Sequence, residues 1–336
     1  MTRAASVIAL AIGDPNGIGP EIAVKAAAWL AVHDGPRALL VGDTHVIRWY
    51  AQRCAPSFDV REVPADALPA RTPAALDVLD VMALPVDSFR PGEVGAAAGA
   101  ATLAYVRAAL DVARAGRADA VIACPHSETA INASGTPFAG YPGYVARHLG
   151  LAPDDVYLLL MGGGLRIVHT TLHEGLAGAL ARLTPKQVEG AARAAVRAMN
   201  AMGVERPRIG VMGINPHAGE GGLFGREDID VTEPAVATLR AEGIDVIGPL
   251  GADLLLMRED IDVFVAMYHD QGHIPVKLRA GRHSAAMSIG GDVVFSSVGH
   301  GSGFDIAGQF VADPSPLLGA IALVTRGESP VAPDKA

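Results

Sequence analysis

The sequence predicts an α/β fold, on three observations. Apolar runs of strand length alternate along the chain with Ala-rich stretches of helical length. The apolar runs are continuous rather than alternating, as in strands covered on both faces. Half of the 336 residues are hydrophobic and 19% are charged, enough for two domains or one large α/β unit. The first strand is expected at Val7–Ile12, leading into the loop Gly13–Pro20, and Pro20 suits the first turn of a helix over Pro20–Leu30. A second strand follows at Ala38–Val41. A helix over Ala96–Ala115 precedes a strand at Ala120–Ala123. Val156–Met161 and Leu165–Val168 read as strands joined by a tight turn at Gly162-Gly163-Gly164. Thr184 before Pro185 caps a helix over Pro185–Met202. The strand Ile209–Met212, the helix Val231–Glu242 and the strand Val263–Met267 complete the series. Pro64–Pro73 is the loosest segment and Gly327–Ala336 a frayed tail. This alternation argues for mostly parallel sheets with helices on both faces.

The bulk numbers exclude several classes. The net charge is −9 and no basic cluster stands out, which argues against nucleic-acid binding. Cys54 and Cys124 lie far apart in no CxxC pattern, so neither a disulfide framework nor a thiolate zinc site is expected. Arg3 followed by Ala4–Ile12 mimics a secretion signal, but the apolar part is short and runs straight into the Gly13–Pro20 loop. No apolar run approaches membrane-spanning length, and a cytoplasmic location is expected.

The densest chemistry is Tyr268-His269-Asp270-Gln271-Gly272-His273-Ile274-Pro275-Val276-Lys277, directly after the apolar run Val263–Met267. Charged groups at the end of a buried strand stand at the sheet edge where such folds bind small molecules. His173 and His217 also follow apolar runs. Three imidazoles without a thiolate favour one divalent cation of borderline character, Zn²⁺ ahead of Co²⁺ or Ni²⁺ and these ahead of Mn²⁺ or Mg²⁺. Three protein ligands leave positions open for a substrate. Asp270 and Asp253 are candidates for orienting a ligand or moving a proton, against the alternative of solvated acids. Lys277 is a candidate for carboxylate binding or proton transfer, against the alternative of an exposed lysine. The glycines of 213–225, around His217, permit close approach of a phosphate or nucleotide. The segment is not a P-loop, and no G-x-G-x-x-G opens the first helix. The Gly13–Pro20 loop precedes a helix whose N-terminus can hold an anion. His300-Gly301-Ser302 lacks the G-x-S-x-G elbow, which argues against a serine hydrolase.

Gly13-Asp14-Pro15-Asn16-Gly17-Ile18-Gly19-Pro20-Glu21, Asn215-Pro216-His217-Ala218-Gly219-Glu220-Gly221-Gly222, Tyr268-His269-Asp270-Gln271-Gly272 and His300-Gly301-Ser302 resemble the 4-hydroxythreonine-4-phosphate dehydrogenase family, in the same order and over nearly the whole chain. That family is similar in fold to the isocitrate and isopropylmalate dehydrogenases. The resemblance implies two α/β/α domains with a cleft between them: residues 1–125 with 285–336 for the nucleotide, and 126–284 for metal, substrate and dimerisation. It implies a homodimer, NAD as cofactor, and one divalent metal at the subunit interface held by His173, His217 and His269. The string His300–Gly308 resembles the family's nucleotide-binding loop, which gives His300, Gly301, Ser302 and Asp305 as cofactor residues alongside Gly219, Gly221 and Gly222.

The departures point to a sub-branch. Where phosphate-handling members carry Thr-Gly-Pro-Val-His-Lys, this chain has Ala123-Cys124-Pro125-His126-Ser127-Glu128. Their phosphate-binding His-Thr pair falls on Tyr141-Pro142, and an asparagine and an arginine of their site fall on Ala286 and Phe295. Lys277 is kept. A phosphate dianion needs several charged or N–H donors, and these replacements remove them. The segments 123–131, 165–169, 269–275 and 288–302 resemble the terephthalate dihydrodiol dehydrogenases instead. The resemblance implies NAD-dependent oxidative decarboxylation of 1,2-dihydroxy-3,5-cyclohexadiene-1,4-dicarboxylate to protocatechuate. Lys277, Asp270 and Asp253 are then the acid–base candidates. Lys277, Arg282 and His126 are candidates for the carboxylates, and Tyr141 and Phe295 for the ring. The phosphorylated amino acid or a sugar-acid phosphate is the main alternative substrate, and a metal-dependent hydrolase or lyase without nucleotide the alternative of another class.

Overall fold

In the computed structural model, which describes residues 7–326 apart from 34, 73, 153, 154, 282, 283 and 292, the chain divides into two units. One is Met1–Ala139 with Asp292–Ala336, the other Gly140–Gly291.

The first unit carries β1 (Val7–Ala11), β2 (Arg37–Gly42), β3 (Asp59–Glu62), β4 (Ala75–Asp80), β5 (Ala120–Ala123) and β12 (Phe295–Val298). They lie in the order β3-β4-β2-β1-β5-β12, and every pairing is parallel. Central strands of a covered parallel sheet are apolar throughout, and Leu39, Leu40, Val41, Val121 and Ile122 are fully buried. Each such side chain contributes about 1.5–3 kcal/mol of burial. The helices are α1 (Gly19–Val32), α2 (Thr44–Cys54), α3 (Ala96–Arg114), α4 (Glu128–Ala133) and α11 (Ser315–Arg326). By length and composition α3 could cross a membrane, contrary to the expectation that no segment could. It packs instead on β1, β2 and β5 as a core helix. A Cβ on Gly99 would stand 2.1 Å from the Ala130 carbonyl oxygen, so the bare glycine lets α4 lie directly on α3. Residues 126–139, expected in the second unit, therefore belong with the first, and residues 285–291, expected in the first, belong with the second.

The second unit carries β6 (Tyr157–Gly162), β7 (Leu165–His169), β8 (Ile209–Met212), β9 (Val246–Leu250), β10 (Val263–Ala266) and β11 (Ala285–Ile289), in the order β11-β6-β7-β10-β8-β9. Here the expectation of parallel pairing fails around β6, which is antiparallel to both neighbours. The cause is local. Gly163 (φ 58°) and Gly164 (φ 80°) form a two-residue hairpin turn with left-handed backbone at both positions, which glycine adopts without a Cβ clash. The remaining pairs are parallel. The helices are α5 (Tyr141–Leu149), α6 (Leu176–Arg182), α7 (Pro185–Ala201), α8 (Glu233–Ala241), α9 (Ala252–Leu255) and α10 (His269–Ala280). Thr184 caps α7 as expected: the Gln187 N–H donates to its hydroxyl (3.4 Å), and its own N–H donates to Gln187 Oε1 (3.0 Å). A core of Leu160, Leu165, Ile167, Met212, Leu255, Phe264 and Val276 seats α10 on the sheet.

Candidate active site

Four histidines gather at the carboxyl ends of the parallel neighbours β7 and β10. Beyond β10, the Met267 N–H donates to Gln271 Oε1 (2.7 Å), and Gln271 Nε2 donates to the Gly213 carbonyl (2.7 Å). These bonds fix the start of α10. His269, His273 and Lys277 then recur every four residues on one helical face. His173 follows β7, and its ring centroid lies 5.3 Å from that of His269. His269 and His273 stack at 3.7 Å, and His273 lies 4.5 Å from His169.

The partners fix the tautomers. Asp270 Oδ1 lies 2.6 Å from His269 Nδ1, and a carboxylate oxygen only accepts. His269 Nδ1 therefore carries the hydrogen and Nε2 is left as a lone pair, the arrangement seen in imidazoles that ligate metals. His217 has the same arrangement, its Nδ1 donating to Glu220 Oε2 (2.9 Å). His169 is fully buried, and burial with its histidine neighbours pushes its pKa down to about 3. Burial pushes His273 down to about 4, with His269 adding to the effect.

His217 stands on an unusual turn. All six residues from His217 to Gly222 have positive φ (55°, 54°, 80°, 46°, 63° and 98°). Gly219, Gly221 and Gly222 thus supply half of a left-handed turn. Among the described residues, no three His, Cys, Asp or Glu side chains of one chain come together as a metal site. The structure brings His173 and His269 together, and His217 stands on the segment that follows β8. Asp253, at the exposed first turn of α9, flanks Gly251 opposite the His217 backbone.

The other expected substrate residues are placed as follows. Lys277 Nζ donates to Ser284 Oγ (2.7 Å), and burial lowers its pKa. Tyr141 is the buried first residue of α5. His126 lies just past β5, with its ring 5.2 Å from Phe138 and burial pushing it down to about 4. Phe295 is 1% exposed within β12, paired with Val121 of β5, so it packs the interior instead of presenting an open wall. Arg282 lies outside the described residues.

In the first unit, the His300–Gly308 segment meets the Gly13–Pro20 loop. The Ile18 N–H donates to the Ser302 carbonyl (2.8 Å). Ser302 Oγ, His300 Nε2 and Asp14 Oδ2 are among the buried polar atoms without a protein hydrogen-bond partner. Asp305 is exposed in the turn that follows. Glu21 and Lys25 tie this region down. Lys25 Nζ donates to Glu21 Oε1 (2.7 Å) and to the carbonyls of Phe310 (3.0 Å) and Ala312 (2.8 Å), and Glu21 also accepts the Ala312 N–H (2.7 Å).

Sequence reasoning passed over His169, His273 and Asp14 as site residues. For His273 the signal was present, since it stands one helical turn after His269. His169 is the last residue of a strand, and nothing local marks its partner 104 residues away. Burial pushes the Asp14 carboxyl up to about 6, against one Asn16 N–H bond that lowers it.

Comparison with known proteins places this architecture. The chain is 47% identical over 318 residues to a 1,2-dihydroxy-3,5-cyclohexadiene-1,4-dicarboxylate dehydrogenase of a Comamonas species, covering 94% of this chain and 96% of the relative. A crystal structure of a terephthalate 1,2-cis-dihydrodiol dehydrogenase from Burkholderia xenovorans LB400 shares 66% identity and a TM-score of 0.76, covering 98% of this chain and 100% of that one. A 4-hydroxythreonine-4-phosphate dehydrogenase structure from Burkholderia phymatum shares 36% identity and a TM-score of 0.82, covering 95% and 97%. The family described as pyridoxal phosphate biosynthetic protein PdxA matches residues 34–324, and this chain belongs to it.

Proposed function

We propose that the protein is an NAD- and divalent-metal-dependent dehydrogenase that oxidises and decarboxylates 1,2-dihydroxy-3,5-cyclohexadiene-1,4-dicarboxylate to protocatechuate, CO₂ and NADH. The observation that carries this reading is the step in identity between relatives. The proteins named for the dihydrodiol stand at 47% and 66%, and those named for 4-hydroxythreonine phosphate at 31–39%. The lost phosphate donors at Tyr141-Pro142 and Phe295 agree with it.

In this reading His173, His217 and His269 hold one divalent cation, Zn²⁺ favoured. Two features support the fit: the donor set is all imidazole, and carboxylates occupy Nδ1 of His217 and His269. The reading takes a homodimer in which residues of two chains complete each site. A cation there would supply Lewis acidity toward a hydroxyl and its neighbouring carboxylate. Asp270 orients His269 through their 2.6 Å bond. Lys277, on the same helical face, holds a substrate carboxylate or carries the hydroxyl proton, and its burial makes it easier to deprotonate. Asp253 beside His217 is the second acid–base candidate. Arg282 serves a substrate carboxylate, and Tyr141 shapes the apolar side. His300, Gly301, Ser302 and Asp305 would hold NAD, the acid suiting ribose hydroxyls. With NAD bound as the hydride acceptor, the base would take the hydroxyl proton, and the β-keto acid so formed would release CO₂. The remaining enediol is a catechol, so aromatisation drives the last step.

The test is NADH formation with the cyclic dihydrodiol dicarboxylate and with 4-hydroxythreonine phosphate, each with and without a chelator. Chelator-sensitive turnover of the ring acid is expected. Turnover of the phosphorylated amino acid alone would overturn the assignment.

A further inference from the structure

His273 has no role in the scheme above, yet its surroundings prescribe one. Two acceptors converge on its Nδ1: the Nε2 of His169 at 3.0 Å and the carbonyl of His269 at 3.3 Å. The His169 nitrogen is an acceptor because the other nitrogen of that ring faces the Leu158 carbonyl at 3.2 Å and must donate to it. That carbonyl is fixed by the sheet, where Leu158 of β6 pairs with His169 of β7. A chain of hydrogen bonds thus runs from the Leu158 carbonyl through His169 to His273 Nδ1, and it leaves the lone pair of neutral His273 on Nε2. Among the described residues nothing hydrogen-bonds to that atom, and it is not sealed from solvent.

The neighbouring ring decides what the free nitrogen can do. A cation held by an imidazole lies about 2.0–2.1 Å from the nitrogen and in the plane of the ring. His269 and His273 are stacked with centroids 3.7 Å apart and only 14° between their planes. Two rings stacked in this way direct their in-plane lone pairs to different points, so they would not share one cation. A hydrogen-bond donor lying beside the cation suits the second lone pair instead. The donors of a vicinal diol are its hydroxyls.

On the dihydrodiol reading of this site, we infer that His273 is a further substrate-contacting residue: its Nε2 accepts a hydrogen bond from a substrate hydroxyl, and His169 holds it in the tautomer that can do so. The pair makes the site selective for a substrate that carries a hydroxyl next to the atom held by the cation.

The test replaces His273 with an apolar residue and with one that imitates both of its bonds. H273L loses the donor and the acceptor, and H273M is a second apolar replacement should H273L not fold. H273Q keeps an N–H for His169 and an oxygen for the hydroxyl. Three quantities are read: the Kd of protocatechuate by calorimetry, the KM values for the dihydrodiol and for NAD, and the affinity for Co²⁺ in competition with a coloured chelator. One lost hydrogen bond of about 1.4 kcal/mol is a tenfold change. The expected result is a protocatechuate Kd and dihydrodiol KM about tenfold higher in H273L, an unchanged NAD KM and Co²⁺ affinity, and substantial recovery in H273Q. Wild-type Kd and KM values in folded H273L would overturn the inference, as would an equal loss in H273Q. Loss of Co²⁺ from H273L would make His273 a metal ligand and overturn it too. A wild-type enzyme that ignores the dihydrodiol is a separate outcome, and that one defeats the proposed function.

Discussion

Gly272→Ala sets two opposing effects against each other on one helix. Alanine in a helix interior is favoured over glycine by about 1 kcal/mol, so an exposed position would gain stability. Gly272 is buried in α10, and a Cβ there would stand 2.3 Å from His169 Nε2, 2.9 Å from its Cε1 and 2.9 Å from Ile167 Cγ2. The ring cannot swing away cheaply, because it is fully buried and bonded to the Leu158 carbonyl. Overpacking costs about 1–3 kcal/mol, and the His169–His273 bond, worth about 1 kcal/mol, is lost as well. The clash therefore outweighs propensity, and G272A is expected to lose about 1–3 kcal/mol. Gly178 on α6 is the control: it is exposed and helical, with no atom within 4 Å of its added Cβ. G178A is expected to gain up to about 1 kcal/mol. Urea unfolding of both variants beside the wild type reads the signs directly, with midpoints moving in opposite directions. A G272A protein as stable as G178A would refute the close approach of α10 to His169.

Three further outcomes follow from the same geometry. For Asp14, the folded carboxyl is raised from 3.8 to about 6, so between those values the native state holds a proton that the unfolded chain has released. Stability from this group is complete below about pH 4 and is lost by about pH 6, by roughly 3 kcal/mol. D14N removes that decline and is expected to exceed the wild type at pH 7 but not at pH 4 in urea unfolding. Lys25→Met leaves the buried Glu21 with the Ala312 N–H but no cation. A loss of about 3–5 kcal/mol is expected, with a raised KM for NAD as the 310–312 segment loosens, and an unaltered melting temperature would contradict it. Asp270→Asn weakens the bond that orients His269, and Co²⁺ affinity by chelator competition is expected to fall about 10–100-fold.

The sequence was most legible where one signal dominated. The continuous apolar runs gave β1, β5, β8 and β10 to within a residue, because burial on both faces admits little else. Thr184-Pro185 gave the start of α7, because side-chain capping is a local event. α10 was not foreseen as a helix. Gly272 and Pro275 read as breakers, yet the glycine is there to admit His169, and the proline stands in a helix seated on the core through Val276. β9 was hidden by the Gly248-Pro249 pair inside it. The antiparallel β6 could be inferred only from the turn after it, since its own residues are as apolar as those of a parallel strand. Within the site, His173 and His269 were readable from their strands, whereas the His169–His273 contact joins residues 104 positions apart and has no local trace.

The glycines around His217 teach the same lesson from the other side. In the sequence they suggest room for a phosphate, but in the fold they are half of a six-residue left-handed turn whose other members are His217, Ala218 and Glu220. A left-handed backbone costs a residue with a Cβ about 1–2 kcal/mol, and such strain persists where the surroundings overrule it. Here the overruling group is Asp228, fully buried, which accepts the N–H groups of Ile214 (2.8 Å) and Asn215 (2.9 Å) and the Thr232 hydroxyl (2.7 Å). His33, an exposed histidine stacked on Trp29, sits on ordinary backbone and needs no such support. His217→Gly relieves the strain at φ 55° and gives up an exposed pair with Glu220 and an edge contact with Phe224, both worth little. After the entropic cost of glycine, a gain of about 0.5–1 kcal/mol is expected. If His217 ligates the catalytic cation, the same substitution abolishes Co²⁺ binding and turnover, so stability and function part in opposite directions. A variant that is both more stable and fully active would show that the strained turn serves something other than the histidine.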